Sequence, residues 1–270
     1  MTLPQLKIIA RQIRRDIIEM TYQAGSGHPG GSLSAADILA VLYFDIMKHD
    51  PKNPVWQKRD RFFLSKGHAC PVLYAALAEA DYFSKKHLAA FRHLGSVLQG
   101  HPHRLKTPGV EMSSGSLGQG LSIAAGTALG LKMDGSKSKV FCLMGDGELQ
   151  EGQIWEAAMA AGHFKLNNLI GIVDYNNLQI DGPVEKVMGL APLADKWRSF
   201  RWNVIEVDGH DILQIKKAFI KAGQSKTKPT AIIARTVKGK GVSFMENQAG
   251  WHGRAPDKEE YEMAMRELQL

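Results

Sequence analysis

Val140-Phe141-Cys142-Leu143-Met144-Gly145-Asp146-Gly147 is a run of five apolar residues leading straight into a carboxylate flanked by two glycines. A short, near-continuous apolar run suits a strand buried on both faces, as in a parallel sheet. Leu169 to Asp174, Val204 to Val207 and Ala231 to Arg235 have the same character. Between them, helical segments are predicted over about 150–165 and 211–222, a turn near 192–199, and a last helix over 257–268. The alternation predicts an α/β fold, a mostly parallel sheet with helices on both faces.

Upstream, Arg61 to Leu64 is a short strand candidate that stops at Ser65-Lys66-Gly67-His68. Leu6, Ile9, Ile13, Ile17 and Met20 lie at helical spacing. Gly25 to Gly31 is expected to break that helix. Ser34 is expected to cap the next one, with Asp37 three positions on as a capping-box relative. Residues 48–60 read as a polar loop. With no repeat, low-complexity tract or linker, residues 1–270 read as one α/β domain with a helical N-terminal portion.

Composition narrows the class. The 270 residues are 44% apolar and 23% charged, and 8% aromatic residues, 27 Gly and 11 Pro exclude a collagen-like or disordered chain. Lys and Arg outnumber Asp and Glu by 34 to 27. The resulting +7 permits an anionic partner without choosing among nucleic acid, a phosphorylated metabolite and a merely solvated basic surface. Cys70 and Cys142 are too few for a disulfide framework or a cysteine-based zinc site. A reducing cytoplasm is the simplest compartment, and Lys7, Arg11, Arg14 and Arg15 precede any apolar stretch long enough for a secretory signal. Met112 to Leu131 is twenty residues without a charge, near the length that spans a bilayer. Its five Gly and four Ser make it a glycine-rich loop entering a small-residue helix instead.

Three features carry chemistry. Gly145-Asp146-Gly147 lets backbone approach a ligand closely, offers N–H groups at the helix start near Leu149, and supplies a carboxylate for a hard cation such as Mg²⁺. Its plain reading is a strand-to-helix turn capped by Asp146. Thirty residues on, Asp174-Tyr175-Asn176-Asn177 brings an amide oxygen to the carboxyl end of a second strand, where α/β folds bind ligands. Its plain reading is a turn. Third, five of the ten histidines directly follow a glycine: His28, His68, His101, His163 and His210. Imidazoles in glycine-rich loops can face a cleft and bind phosphate or sugar oxygens. His252, in Gly-Trp-His-Gly, joins that group. His163 and His210 read as structural, and His49, His87 and His93 as solvated.

GDGELQEGQIWEA (145–157) followed by NLIGIVDYNN (168–177) resembles the thiamine-diphosphate signature. SGHPGG, LSKGHA, GSLGQGLS, IDG, VDGHD and VKGKG, in this order, make the chain resemble the transketolases from about residue 10 to 256. The match is to their N-terminal, diphosphate-binding portion, of the kind encoded as a separate subunit. The resemblance implies a thiamine-diphosphate-binding (PP-type) fold, with thiamine diphosphate and Mg²⁺ as cofactors. It makes Asp146, Asn176 and the Leu178 carbonyl the metal ligands. Gly147, Asn176, His68 and the Gly115-Ser116-Leu117 loop would contact the cofactor. His28, His101 and His252 match histidines facing substrate, and Glu151 matches a glutamate that couples paired sites across a subunit interface. The plain reading of Glu148, Glu151 and Glu156 is as solvated helix residues.

The implied reaction moves a two-carbon ketol unit from a ketose phosphate to an aldose phosphate. Sugar phosphates would be the substrates, with no nucleic acid and no membrane. In the family a glutamate from a second, pyrimidine-binding domain activates the cofactor. About 35 residues follow the last apolar run, too few for another α/β domain. The expectation is therefore a partner subunit carrying that domain, in a heterotetramer of two copies of each chain, inactive unless assembled. Three departures from the family pattern bear on sugar specificity: His103 where an acidic residue is usual, Lys66 where Asn is frequent, and Ser116 where Pro is common. Two other readings compete: a subunit of another thiamine-diphosphate enzyme such as a 2-oxoacid dehydrogenase, and a non-catalytic module keeping the fold. The histidine-rich loops argue against the first, and the intact Asp146, Asn176 and histidine set against the second.

Overall fold

The computed structural model describes residues 1–269. The chain opens with helix α1 (Leu3–Ala24), α2 (Pro29–Leu33) and α3 (Ala36–Val41), then strand β1 (Arg61–Leu64) and α4 (Cys70–Glu79). Next come α5 (Gln119–Met133), β2 (Val140–Gly145), α6 (Gly152–His163) and β3 (Leu169–Tyr175). A two-residue ladder, β4 (Leu178–Gln179) with β5 (Gly182–Pro183), leads to α7 (Val184–Met188) and α8 (Leu193–Ser199). The chain closes with β6 (Asn203–Asp208), α9 (Ile212–Gly223), β7 (Thr230–Arg235) and α10 (Lys258–Glu267).

Five strands form one sheet in the order β1-β2-β3-β7-β6, all parallel. Side chains alternate between its faces. Phe62, Leu64, Phe141, Leu143, Ile170 and Ile172 point into one core, against α1, α3, α4 and α9. Phe63, Val140, Cys142, Met144, Leu169 and Val173 point into the other, against α5, α6 and Trp197 of α8. Covering both faces explains why β1, β2, β3 and β7 read as unbroken apolar runs. Edge strand β6, read as a similar apolar run, is less covered: only Val207 is buried, with Val204 and Ile205 partly so.

Local signals place the helices. Thr2 and Gln5 form a capping box for α1, and Gly25, at φ 56°, closes it in the left-handed conformation that glycine adopts without strain. In α5, a Cβ on Gly120 would lie 2.3–2.7 Å from Ser65, so glycine is what lets this helix seat on the end of β1. No helix among the described residues is long and apolar enough to cross a membrane.

Some local expectations differ. Pro29, Gly30 and Gly31 do not merely break a helix but begin α2. Ser34 caps no N-terminus: it ends α2, and its hydroxyl donates to the Gly31 carbonyl at 3.1 Å and to Asp174 at 2.5 Å. Residues 193–199 are a helix rather than a turn, with Trp197 fully buried. After β2 the chain makes a 3₁₀ turn over Gly147–Gln150, and α6 begins only at Gly152. His49 is not simply solvated. One ring nitrogen lies 2.7 Å from the Tyr43 carbonyl and the other 3.1 Å from the Tyr82 hydroxyl.

Candidate functional site

The carboxyl ends of β1, β2, β3 and β7 meet at one edge of the sheet, where Gly145 lies opposite Asp174 and Tyr175 opposite Arg235. The loops leaving this edge enclose a cleft of about 270 Å³. Asp146 lies at its base, 2% exposed. One of its carboxylate oxygens accepts the Gly147 N–H at 2.8 Å, and the other accepts the Asn177 N–H. Burial, then the neighbouring Asp174 charge, pushes this carboxyl up to about 7. The two backbone donors and the Lys66 charge only partly offset that.

The remaining oxygens are close by. Asn176 is buried, and its side-chain oxygen accepts the Leu178 N–H at 3.1 Å in an Asx turn. Asn177 takes φ 61°, and its N–H is the one that donates to Asp146. The Leu178 carbonyl accepts from the Lys238 ammonium at 3.3 Å. No group of three or more His, Cys, Asp or Glu suited to a metal occurs among the described residues. What this corner offers is one carboxylate, one amide oxygen and one carbonyl. That all-oxygen set suits a hard cation which takes its other ligands from phosphate and water. Asp146, desolvated and short of countercharge, fits such a cation.

Two lysines line the cleft. Lys66, 2% exposed, donates to the Gly31 carbonyl at 2.8 Å and pairs with Asp174. Asp174 also accepts from the hydroxyls of Ser34 and Thr236, and Lys66 with these donors holds its carboxyl below the usual range despite complete burial. Lys238, also 2% exposed, lies 3.1 Å from Nδ1 of His252. Burial and the Lys66 charge bring its ammonium down to about 8.

Three imidazoles cluster beside Lys238. Ring centroids are 5.1 Å apart for His28 and His68, 5.0 Å for His68 and His252, and 5.4 Å for His28 and His252. Burial dominates their titration, and nearby cations add to it: Arg92 at His28, Lys66 at His68, Lys238 at His252. The rings are held down to about 4, about 2 and about 3 respectively, so all three are neutral near pH 7. Neutral imidazoles can each donate one hydrogen bond and accept one.

The structure thus gathers His28, His68, Gly115, Leu117, Asp146, Gly147, Asn176, Leu178 and His252 around one cleft. His101 sits at the rim, exposed, its ring beside Gly115, where a Cβ would approach it to 3.3 Å. Ser116 is exposed between two lining residues. Glu151 stands apart, exposed at the start of α6 and against Gly118. Sequence reasoning missed others. Lys238 and Gln179 line the cleft, and Gln179 has a buried side-chain nitrogen with no protein partner. Lys238 sits in the VKGKG stretch, which was the available signal. Glu148 is not a solvated helix residue: it is buried and accepts from Ser65, from Gly118 N–H at 2.9 Å and from Gly145 N–H at 3.0 Å. It ties the loop before α5 to the end of β2. His210, read as structural, donates from Nδ1 to Asp37 at 2.8 Å while its Nε2 accepts the Val237 N–H at 2.8 Å.

Residues 6–269 match the family described as transketolase, thiamine diphosphate binding domain. An apulose-4-phosphate transketolase subunit from Phocaeicola vulgatus is 43% identical over 99% of this chain and 95% of its own length. A 6-deoxy-6-sulfo-D-fructose transketolase subunit from a Clostridium species is 45% identical over 96% of this chain and 94% of its own. The solved transketolase of Campylobacter jejuni superposes with a TM-score of 0.94 at 39% identity, covering 99% of this chain and 43% of that one. The chain thus spans less than half of that solved transketolase and nearly all of the two subunits.

Proposed function

The chain belongs to the transketolase family, and from that premise we propose that it is the diphosphate-binding subunit of a two-chain transketolase. It would move a two-carbon ketol unit from an anionic ketose to an aldose phosphate. The observation that carries the reading is the cleft itself, where an undercompensated Asp146 faces three neutral imidazoles at the carboxyl edge of a parallel sheet.

Asp146, Asn176 and the Leu178 carbonyl would hold Mg²⁺, and Gly147, His68 and the Gly115-Ser116-Leu117 loop the diphosphate of the cofactor. Thiamine diphosphate, when bound, supplies the electron sink for breaking and making the carbon–carbon bond. The protein's part is to bind, orient and keep charge in place. Lys66 and Lys238 balance the anionic load of the cleft. His28, His252 and, at the rim, His101 would bind substrate oxygens, and His252 and His101 would carry protons at their ring nitrogens.

A partner subunit would supply the pyrimidine pocket and its glutamate. Supporting this, α5 and α6 leave an apolar groove lined by Ala125, Gly126, Leu129, Ala160 and Phe164. Phe164 in the groove is 50% exposed, and Ile123 of α5 and Met159 of α6 are 44% and 57% exposed, more than a solvated face needs. Exposed Glu151, at the start of α6 beside Gly118, suits a coupling role between paired sites. We place residues 1–270 in one domain, the assembly at two copies of each chain, and the enzyme in carbohydrate metabolism of the cytoplasm, the pentose phosphate reactions included. The names of the two subunit relatives widen the donors worth testing to apulose 4-phosphate and 6-deoxy-6-sulfo-fructose.

The test is reconstitution. The chain is mixed with its partner, thiamine diphosphate and Mg²⁺, and ketol transfer to ribose 5-phosphate is followed with xylulose 5-phosphate and the two alternative donors. Cofactor binding by the pair with no transfer from any ketose sinks the reading.

A further inference from the structure

Arg92 is fixed in place from several sides. Its backbone adopts φ 63°, in the left-handed region that costs a non-glycine residue energy, and its N–H donates to the Leu98 carbonyl at 2.9 Å. One guanidinium nitrogen donates to the Ser26 hydroxyl at 2.9 Å, and the guanidinium carbon sits 5.5 Å from the Phe91 ring centroid. Gly100 makes room for the head group: a Cβ there would come within 3.0–3.1 Å of Cζ, Nε and Nη2. No carboxylate pairs with Arg92 among the described residues, and its Nε is buried without a hydrogen-bond partner. A cation this immobilised, and without a counterion, needs a different reason to be where it is.

Its remaining contact supplies one. Nη2 faces Nδ1 of His28 at 3.5 Å, the long end of hydrogen-bonding range. A guanidinium carries only N–H donors and never gives up its proton. The imidazole nitrogen that faces it must therefore present its lone pair. A neutral ring has one protonated nitrogen, which leaves the proton on Nε2. We infer that Arg92 is a positioning residue that fixes His28 as its Nε2–H tautomer, so that this ring enters the cleft as a hydrogen-bond donor and not as a base.

The other charged and titratable groups around His28 agree with that arrangement. Arg92, His101 and Lys238 all oppose a second proton on the ring, and burial opposes it further. The neighbouring rings of His68 and His252 are neutral as well. Nε2, across the ring from Arg92, lies 3.5 Å from where a Cβ on Gly253 would stand. That this donor meets a sugar oxygen rests on the transketolase reading. The tautomer itself rests only on the Arg92 contact.

The experiment reads the tautomer directly. The full chain is labelled with ¹⁵N-histidine, and long-range proton–nitrogen correlations are recorded near neutral pH, with His28 assigned from the signals lost in His28→Gln. The expected wild-type spectrum shows a protonated Nε2 and a lone-pair-bearing Nδ1. In Arg92→Met the His28 nitrogens should move to the averaged shifts of a tautomer mixture. Arg92→Lys, which keeps a cationic donor, should restore most of the wild-type pattern. Gly100→Ala, which displaces the guanidinium, should fall between. A wild-type His28 protonated at Nδ1, or a pattern unmoved in Arg92→Met, overturns the inference. A purely structural arginine would lower the melting temperature in these variants without moving the tautomer. If Arg92→Met does not fold, the wild-type spectrum and Gly100→Ala still decide. Neither partner nor cofactor is needed, so failed ketol transfer would overturn the proposed reaction and leave the tautomer result standing.

Discussion

Lys66 and Asp174 form a buried ion pair that joins the loop after β1 to the end of β3, with both side chains at most 3% exposed. Ser34 and Thr236 complete the hydrogen bonding of Asp174, so three separate segments converge on the carboxylate that β3 supplies. Removing one member leaves the other charged and desolvated. Lys66→Met should destabilise the chain by about 3–5 kcal/mol, and the double variant Lys66→Met, Asp174→Leu should recover part of that loss. Urea unfolding of the wild type, the single and the double variants measures both. A loss under about 1 kcal/mol in Lys66→Met contradicts the prediction.

The histidine cluster makes the fold sensitive to acid. His28, His68 and His252 have ring pKa values below the unfolded value of about 6.5, so the unfolded chain takes up protons that the folded chain refuses. Their contribution is complete above about pH 6.5 and is lost progressively as the pH falls below it. Thermal melting between pH 7 and pH 5 should show this decline, and His68→Gln, removing the most depressed ring, should flatten it. An unchanged slope in His68→Gln argues against the assignment.

Asp146→Ala removes the only carboxylate of the oxygen corner beside Asn176 and Leu178. Calorimetric titration of thiamine diphosphate with and without Mg²⁺, using the reconstituted pair, should show that Mg²⁺ no longer raises affinity. Asn177→Ala tests the backbone instead: at φ 61° alanine is strained where asparagine is tolerated, and about 1 kcal/mol of stability should be lost. An affinity still strengthened by Mg²⁺ in Asp146→Ala would falsify the ligand assignment.

Two glycines of α5 should behave oppositely. Gly120→Ala drives a methyl group into the backbone and side chain of Ser65 and should cost about 1–3 kcal/mol. Gly126 has nothing within 4 Å of the same position, so Gly126→Ala should stabilise the isolated helix by about 0.5–1 kcal/mol. Chemical denaturation compares the two.

The groove beside Gly126 gives a further test. Phe164→Glu places a charge on an exposed apolar position and should leave the melting temperature of the isolated chain within a few degrees of wild type. In the proposed assembly it should weaken binding of the partner, read by analytical ultracentrifugation of the mixture. Undiminished association moves the partner interface elsewhere.

The strands were legible because burial on both faces leaves no room for polar residues, and β1, β2, β3 and β7 carry that constraint in consecutive letters. The Asp146 and Asn176 segments were legible because Gly147 leaves room for Gln179, which a Cβ would approach to 3.1 Å, and because Asn177 takes φ 61°, which asparagine tolerates. Lys66, Lys238 and Glu148 were not. Lys66 and Glu148 are buried by partners far along the chain, 108 residues for Lys66 with Asp174 and 83 for Glu148 with Ser65. Lys238 reaches the Leu178 carbonyl across 60 residues. Periodicity reads a charged residue as solvated, and only the tertiary partner overturns that. Ser34 failed for the same reason, since its hydroxyl serves Asp174 at a separation of 140 residues and not the helix beside it.

Gly145 and Asp174 are lateral neighbours in the sheet, so the gap between the Asp146 and Asn176 segments is fixed by hydrogen bonding between adjacent strands, roughly 4.8 Å apart. The α6 excursion that separates them in sequence acts as a detour and not as a ruler. Insertions on the far side of that detour, at the turn near Phe164 and Lys165, would lengthen the chain without stretching the cleft. A slip of one residue between β2 and β3 would do the reverse, changing no composition and dismantling the oxygen corner. The tolerance of the site is thus set by strand registration and not by the length of chain between its two segments.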